Sequence, residues 1–240
     1  MLLKQLIEKL QMVIGIITAR KGSKRLKNKN IRLLKKKPLY YWAIKILKRS
    51  GIFKKIVVTS DHKSIIKNAK KYGADLVLKR KKNLANDKSN TMEVIKDTIN
   101  ELDKLKLKFN YVCCMYPTGA LSNFKDIKKS FKILKKNKNK FVFPVYPART
   151  NNKFNNEINY EKFNKIQNII KKKKIYINKN FVDAGQYYFS SKKNWIRKKH
   201  IIDKNNIILI KKNTELRDIN TLKDLNYVRK IFRNNYEILQ

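Results

Sequence analysis

The sequence predicts a layered α/β fold, a central sheet with helices on its faces, and three observations carry that prediction. Short apolar runs alternate with longer segments of helical period along most of the 240 residues. Several of those runs are apolar at every position, as strands buried on both faces are. A chain of 240 residues can also bury one sizeable core, or one core with a small lobe.

Residues 1–11, MLLKQLIEKLQ, read as a short amphipathic extension ahead of Met12, without the small-residue cleavage site of a signal peptide. The first strand is expected at 13–18 (VIGIIT), followed by a helix at 39–49 with Pro38 in its first turn and Gly51 as its stop. Strands at 55–60 and 75–78 flank a helix at 62–72, and a helix at 91–106 leads into a strand at 111–116. A helix at 123–137 and strands at 141–146, 185–190 and 207–210 follow. The last helix, 222–235, opens with Thr221 and Asp224 at capping-box spacing. Between 147 and 184 the pattern lapses into a polar, Asn-rich stretch too long for an ordinary loop. That stretch reads as a surface insertion, or as an arm that packs on a second subunit or closes over a substrate. Residues 12–240 are otherwise one domain.

Composition narrows the function classes. Lys and Arg total 60 against 17 Asp and Glu, a net charge of +43, which attracts polyanions and nucleic acid above all. Nucleic-acid binders concentrate such charge on one face or tail. Here Lys, Asn and Ile are raised everywhere and most aromatics sit in apolar runs, so a specific nucleic-acid function is not favoured. Cys113 and Cys114 are neighbours on one strand and point to opposite faces, so they neither bridge readily nor share a metal. With His62 and His200 isolated, no zinc constellation exists, and thiols reduced in a cytoplasm are expected. No apolar run approaches the roughly 20 residues that span a bilayer.

The chemistry is concentrated after the first strand. In open α/β sheets ligands sit beyond the carboxyl ends of strands. Strand 13–18 runs directly into Ala19-Arg20-Lys21-Gly22-Ser23-Lys24-Arg25 and then Lys29-Asn30. Gly22 allows close backbone approach or positive φ, the cations can neutralise a polyphosphate, and Ser23 and Asn30 can donate hydrogen bonds. Neither a Walker A loop nor GxGxxG is present. On charge and position alone the loop is either a phosphate site or a solvated basic turn.

ARKGSKRLKNKN resembles the signature loop of the acylneuraminate (CMP-sialic acid synthetase) family of cytidylyltransferases, which activate nine-carbon acidic sugars as CMP-sugars. Arg20, Gly22, Ser23, Lys24, Arg25, Lys29 and Asn30 match that signature, with Lys27 where the family carries proline. KRKKNLANDKSNT is similar to a second family segment through Arg80, Leu84, Ala85, Asp87 and Thr91. RDINTLKDL is similar to a third through Asp218, Thr221, Asp224 and Leu225, with Asn220 replacing the second aspartate. YVCCMYPTGAL and FVDAGQYYF resemble the pseudaminic acid branch more than the sialic acid branch. The resemblance covers roughly residues 12–235.

The resemblance implies a Rossmann-like nucleotidyltransferase sheet with a small dimerisation or substrate arm. It implies transfer of CMP from CTP to the anomeric hydroxyl of pseudaminic acid, with sialic, legionaminic or Kdo sugars as alternatives. Arg20, Ser23, Lys24 and Lys29 would hold the triphosphate beside Gly22, and Asn30, Arg80 and Thr91 the nucleoside. Tyr116, Gln186 and Tyr187 would line the sugar pocket. Mg²⁺ would be held by Asp218 and Asn220; because that asparagine lacks a charge, Asp61 or Asp183 are other carboxylates to consider. CTP and the sugar are the expected partners, with a homodimer, no specific nucleic acid, no membrane and a cytoplasmic location.

Overall fold

The computed structural model describes residues 12–23, 25–86, 89–147, 157–158, 181–202, 206–210 and 218–234. The 1–11 extension and Lys24 lie outside them, as does most of the 147–184 segment.

Along the chain, β1 (Val13–Thr18) leads through the basic loop to a hairpin of β2 (Leu33–Leu34) and β3 (Lys37–Pro38), then to α1 (Leu39–Ser50). Next come β4 (Lys55–Ser60), α2 (Lys63–Asn68), β5 (Leu76–Lys79), α3 (Thr91–Lys104), β6 (Tyr111–Met115) and α4 (Phe124–Lys136). The second half carries β7 (Val142–Pro147), β8 (Glu157–Ile158), β9 (Phe181–Asp183), β10 (Tyr187–Ser191), α5 (Lys192–Arg197), β11 (Ile207–Ile210) and α6 (Leu222–Asn234).

One mixed sheet takes all strands but the hairpin, in the order β5-β4-β1-β6-β10-β7-β9-β8, with β11 also on β7. The first four are parallel, whereas β10 runs antiparallel to both β6 and β7. Residues 184–186 interrupt one antiparallel run along β7, and Ala184 N–H still donates to Pro144 O at 3.1 Å. This register sets Met115 at the end of β6 opposite both Ile17 and Tyr187, so the start of β10 arrives where the parallel strands finish.

Burial follows strand parity. Ile17, Val58, Cys113, Tyr187 and Phe189 pack under α1 and α4 in one cluster. Ile16, Val57, Cys114, Phe143 and Tyr188 pack with α3 and α5 in another. Cys113 and Cys114 therefore serve opposite cores and both are free thiols. A third cluster joins α1 to α6 through Trp42, Leu225, Val228 and Phe232, with Trp42 and Phe232 edge-on at 4.8 Å.

The expected strands and helices are present; β8 and β9 arise within the stretch where no strand was expected, and four further differences stand out. The helix expected at 62–72 spans only Lys63–Asn68, because the chain turns at Gly73, whose φ is +104°. The hairpin turns through Lys35 and Lys36 at φ 44° and 60°, a left-handed pair normally filled by Asn and Gly, so the sequence hid it. Pro38 caps α1 rather than entering its first turn. The short helix α5 was not anticipated. Gly51 stops α1 at φ +66° as expected, and Thr221 and Asp224 cap each other reciprocally ahead of α6.

Candidate active site

The carboxyl ends of β1, β5 and β6 open onto one cleft of about 500 Å³. Its wall is built from Thr18, Arg20, Gly22, Ser23, Arg25, Lys29 and Asn30 on one side, and from Arg80, Thr91, Tyr116 and Thr118 on the others. Asp218 closes it from the segment ahead of α6.

The basic loop is tied down along its length. Ala19 N–H donates to Thr59 O at 3.0 Å, and Lys21 N–H donates to Asp61 Oδ1 at 2.6 Å. Asn30 Nδ2 donates to Arg20 O at 2.8 Å, closing the loop on itself. Asp61 is thus a loop anchor. Gly22 does not adopt positive φ, and a Cβ there would meet nothing within 4 Å, so its backbone is open to the cleft.

Lys29 links the loop to the far end of the chain. Its Nζ donates to Ile219 O at 2.8 Å and to Asn220 Oδ1 at 3.5 Å, and lies 3.8 Å from Asp218 Oδ1. Burial pushes the Lys29 ammonium down, Asp218 opposes that, and Arg25 and Arg20 push it further down. Such crowding of cations is relieved when an anion enters. Arg80 is buried: Nη2 donates to Thr59 O at 3.1 Å, and Nε is buried with no hydrogen-bond partner. Burial lowers its guanidinium to about 10, still charged at neutral pH.

On the other wall, the Tyr116 hydroxyl and Thr91 Oγ1 share a hydrogen bond at the start of α3. Thr91 also borders a second cavity of about 370 Å³ formed with Tyr188, Lys199, His200, Ile201 and Ile202. Asp218 is held above the usual carboxylate range by burial, against the pull of Lys29. Its Oδ1 is buried with no hydrogen-bond partner. An oxygen in that state fits a hard cation such as Mg²⁺, which keeps several waters and needs only one or two carboxylates. Among the described residues no group of three or more His, Cys, Asp or Glu gathers.

The structure brings Arg20, Gly22, Ser23, Lys29, Asn30, Arg80, Thr91, Tyr116 and Asp218 together at this cleft. Asn220 stands next to them, turned toward Lys29. Gln186 and Tyr187, expected in the sugar pocket, are not on the cleft wall. Gln186 is buried, bonding Ser122 Oγ and the Tyr146 hydroxyl, and Tyr187 is buried against Ser130 on the α1–α4 face. Strand period two makes Tyr188 the residue on the side of Tyr116, their rings 5.7 Å apart. Gly185 and the second cavity also escaped the sequence reading of the site. Lys199 and His200 carried no signal beyond a background of lysines.

Four parallel strands within a mixed sheet, a cationic loop after the first of them in the chain and a carboxylate facing that loop define a nucleotidyltransferase-type site. The solved CMP:2-keto-3-deoxy-manno-octonic acid synthetase complexed with CTP shares the fold, with a TM-score of 0.68 at 11% identity, over 93% of this chain and 99% of the other. The 4-diphosphocytidyl-2C-methyl-D-erythritol synthase of Anaerococcus prevotii does so with a TM-score of 0.63 at 13% identity, over 95% and 99%. The cytidylyltransferase family model matches residues 14–239, and the chain belongs to that family. Pseudaminic acid cytidylyltransferase of Campylobacter jejuni serotype O:2 is 31% identical over 92% of this chain and 97% of its own length. CMP-N,N'-diacetyllegionaminic acid synthase of Legionella pneumophila is 33% identical over 51% of this chain and 53% of its own.

Proposed function

We propose that the chain transfers CMP from CTP to the anomeric hydroxyl of pseudaminic acid, giving CMP-pseudaminic acid and pyrophosphate. The observation that carries this reading is the cleft that gathers Arg20, Lys29, Arg80 and Asp218 in a chain 31% identical over 92% of its length to a pseudaminic acid cytidylyltransferase.

The sugar hydroxyl oxygen forms a bond to the α-phosphorus and gives up its proton to water, while the bond from the α-phosphorus to the bridging oxygen breaks and pyrophosphate leaves with its electron pair. No protein nucleophile is needed, since positioning and charge neutralisation supply most of the catalysis. Arg20, Ser23 and Lys29, with Lys24 from outside the described residues, bind the triphosphate, and the open backbone at Gly22 lets it approach. Asn30 holds that loop in shape through Arg20 O. Arg80 and Thr91 face the nucleoside. A divalent cation at Asp218 neutralises triphosphate charge when bound. Tyr116, between the cleft and the second cavity, borders the sugar, and that second cavity, with its Lys199 and His200 rim, takes the acidic acceptor. Homodimerisation through the 147–184 segment and a cytoplasmic location belong to the same reading. Among the described residues no helix is long and apolar enough to cross a membrane.

The test is pyrophosphate release by the purified chain with CTP and Mg²⁺ against pseudaminic, sialic, legionaminic and Kdo acceptors. Turnover with pseudaminic acid well above the others is expected. A clear preference for another acceptor would replace the substrate, and release with none of them would remove the reading.

A further inference from the structure

We propose that the divalent cation of this cleft is seated between two carboxylates, Asp218 and Asp183, while Asn220 serves Lys29 instead of the metal. The inference rests on the nucleotide site described above and concerns which side chains complete it.

Asn220 is already engaged on both sides. Its Oδ1 accepts from Lys29 Nζ at 3.5 Å, and its backbone N–H donates to Asp224 Oδ2 at 3.0 Å. A neutral amide spent in this way is a poor second ligand for a hard cation, which selects carboxylate oxygen. Asp218, by contrast, has Oδ1 buried with no hydrogen-bond partner, and Lys29 Nζ lies 3.8 Å from it. One ligand is therefore present with an unused oxygen.

The second approaches from the end of β9. Gly185 hydrogen-bonds one acid and sits next to the other. Its N–H donates to Asp183 Oδ1 at 2.9 Å, while a Cβ on its α-carbon would lie 3.2 Å from Cβ and Cγ of Asp218 and 3.3 Å from Oδ2. Gly185 has φ +58°, so the corner that brings the two acids together is one that only glycine adopts without strain. Asp183 is oriented as metal-ligating carboxylates are, with Gly185 N–H on one oxygen and the Tyr188 hydroxyl on the other. Each oxygen keeps a second lone pair for a cation. Thr118 Oγ1 donates to Gly185 O at 3.2 Å and fixes the corner against the cleft wall. The carboxylate absent at position 220 is thus replaced from a different strand, β9.

The test is Mn²⁺ binding by the full chain, read by electron paramagnetic resonance of the free ion. Asp218→Asn and Asp183→Asn should each weaken Mn²⁺ binding at least about tenfold, since loss even of an outer-shell partner costs ten- to a hundred-fold. Asp183→Glu should recover part of that loss, and Asp61→Asn should bind Mn²⁺ as the unaltered chain does. Metal-free CTP binding, followed by intrinsic fluorescence, reports whether each variant is folded. Unchanged Mn²⁺ affinity in Asp183→Asn, with loss in Asp218→Asn, overturns the inference and leaves the nucleotide site standing. Loss in Asp61→Asn overturns it in favour of that carboxylate. No effect of Asp218→Asn, or no Mn²⁺ binding by the unaltered chain, overturns the metal seat altogether.

Discussion

Replacing Gly185 by alanine should cost both stability and turnover, and the structure separates the two causes. The backbone at φ +58° imposes a left-handed penalty of about 1 kcal/mol on any L-residue with a Cβ. The new methyl would also lie 3.2 Å from Cβ and Cγ of Asp218, tight enough that one of them must shift by a few tenths of an ångström. Adding about 1 kcal/mol for that overpacking gives a loss near 2 kcal/mol in all. In a chain of this size such a loss lowers the melting temperature by about 4–8 °C. Gly51→Ala is the internal control, since φ there is +66° but nothing lies within 4 Å of the added methyl. It should show the backbone penalty alone and keep full activity, because Gly51 ends α1 away from the cleft. Differential scanning calorimetry of the two variants, with pyrophosphate release measured alongside, reads both effects. Equal melting temperatures and equal activities for the two would refute the claim that Gly185 is required by its contact with Asp218.

Lys36→Gly should stabilise the protein by about 1 kcal/mol, seen as a higher urea midpoint at unchanged activity, because it removes one left-handed lysine from the β2–β3 turn. Asp224→Ala should cost about 1 kcal/mol in the same assay by deleting the acceptor for Asn220 N–H, Thr221 N–H and Thr221 Oγ1. Neither cysteine should react with Ellman's reagent until the chain unfolds. Both thiols are fully buried, and burial raises Cys114 to about 12 and Cys113 well above the ordinary thiol range. The stability that the protonated Asp183 and Asp218 contribute to the ligand-free chain should be full below the ordinary carboxylate range. It should be lost as pH rises through their elevated values, because burial penalises the charged forms. The pH dependence of stability should therefore be shallower for Asp218→Asn than for the unaltered chain.

Most of the architecture was legible because buried parallel strands announce themselves: Val13–Thr18 and Ile207–Ile210 stand where their apolar runs do. The β2–β3 hairpin was illegible because its turn is built from lysines, so no Gly or Asn marked it. In the site, the order Arg20, Gly22-Ser23, Lys29-Asn30 was readable because every member comes from one loop behind one strand. The sugar side was not, since Tyr187 and Tyr188 differ only by parity. Which of them faces Tyr116 depends on the antiparallel register of β10 against β6, a long-range pairing that neither residue encodes. The proximity of Gly185 to Asp218 is likewise a product of tertiary folding between segments far apart in sequence.

The bond from Lys29 Nζ to Ile219 O joins residues 190 positions apart. During synthesis, at about 5–20 residues per second, the basic loop waits on the order of 10–40 s for the segment that completes its cleft. Docking of α6 on Trp42 through Phe232 then accompanies the arrival of Asp218 at the loop, so the cleft is complete only once segments 20–30 and 218–232 have met.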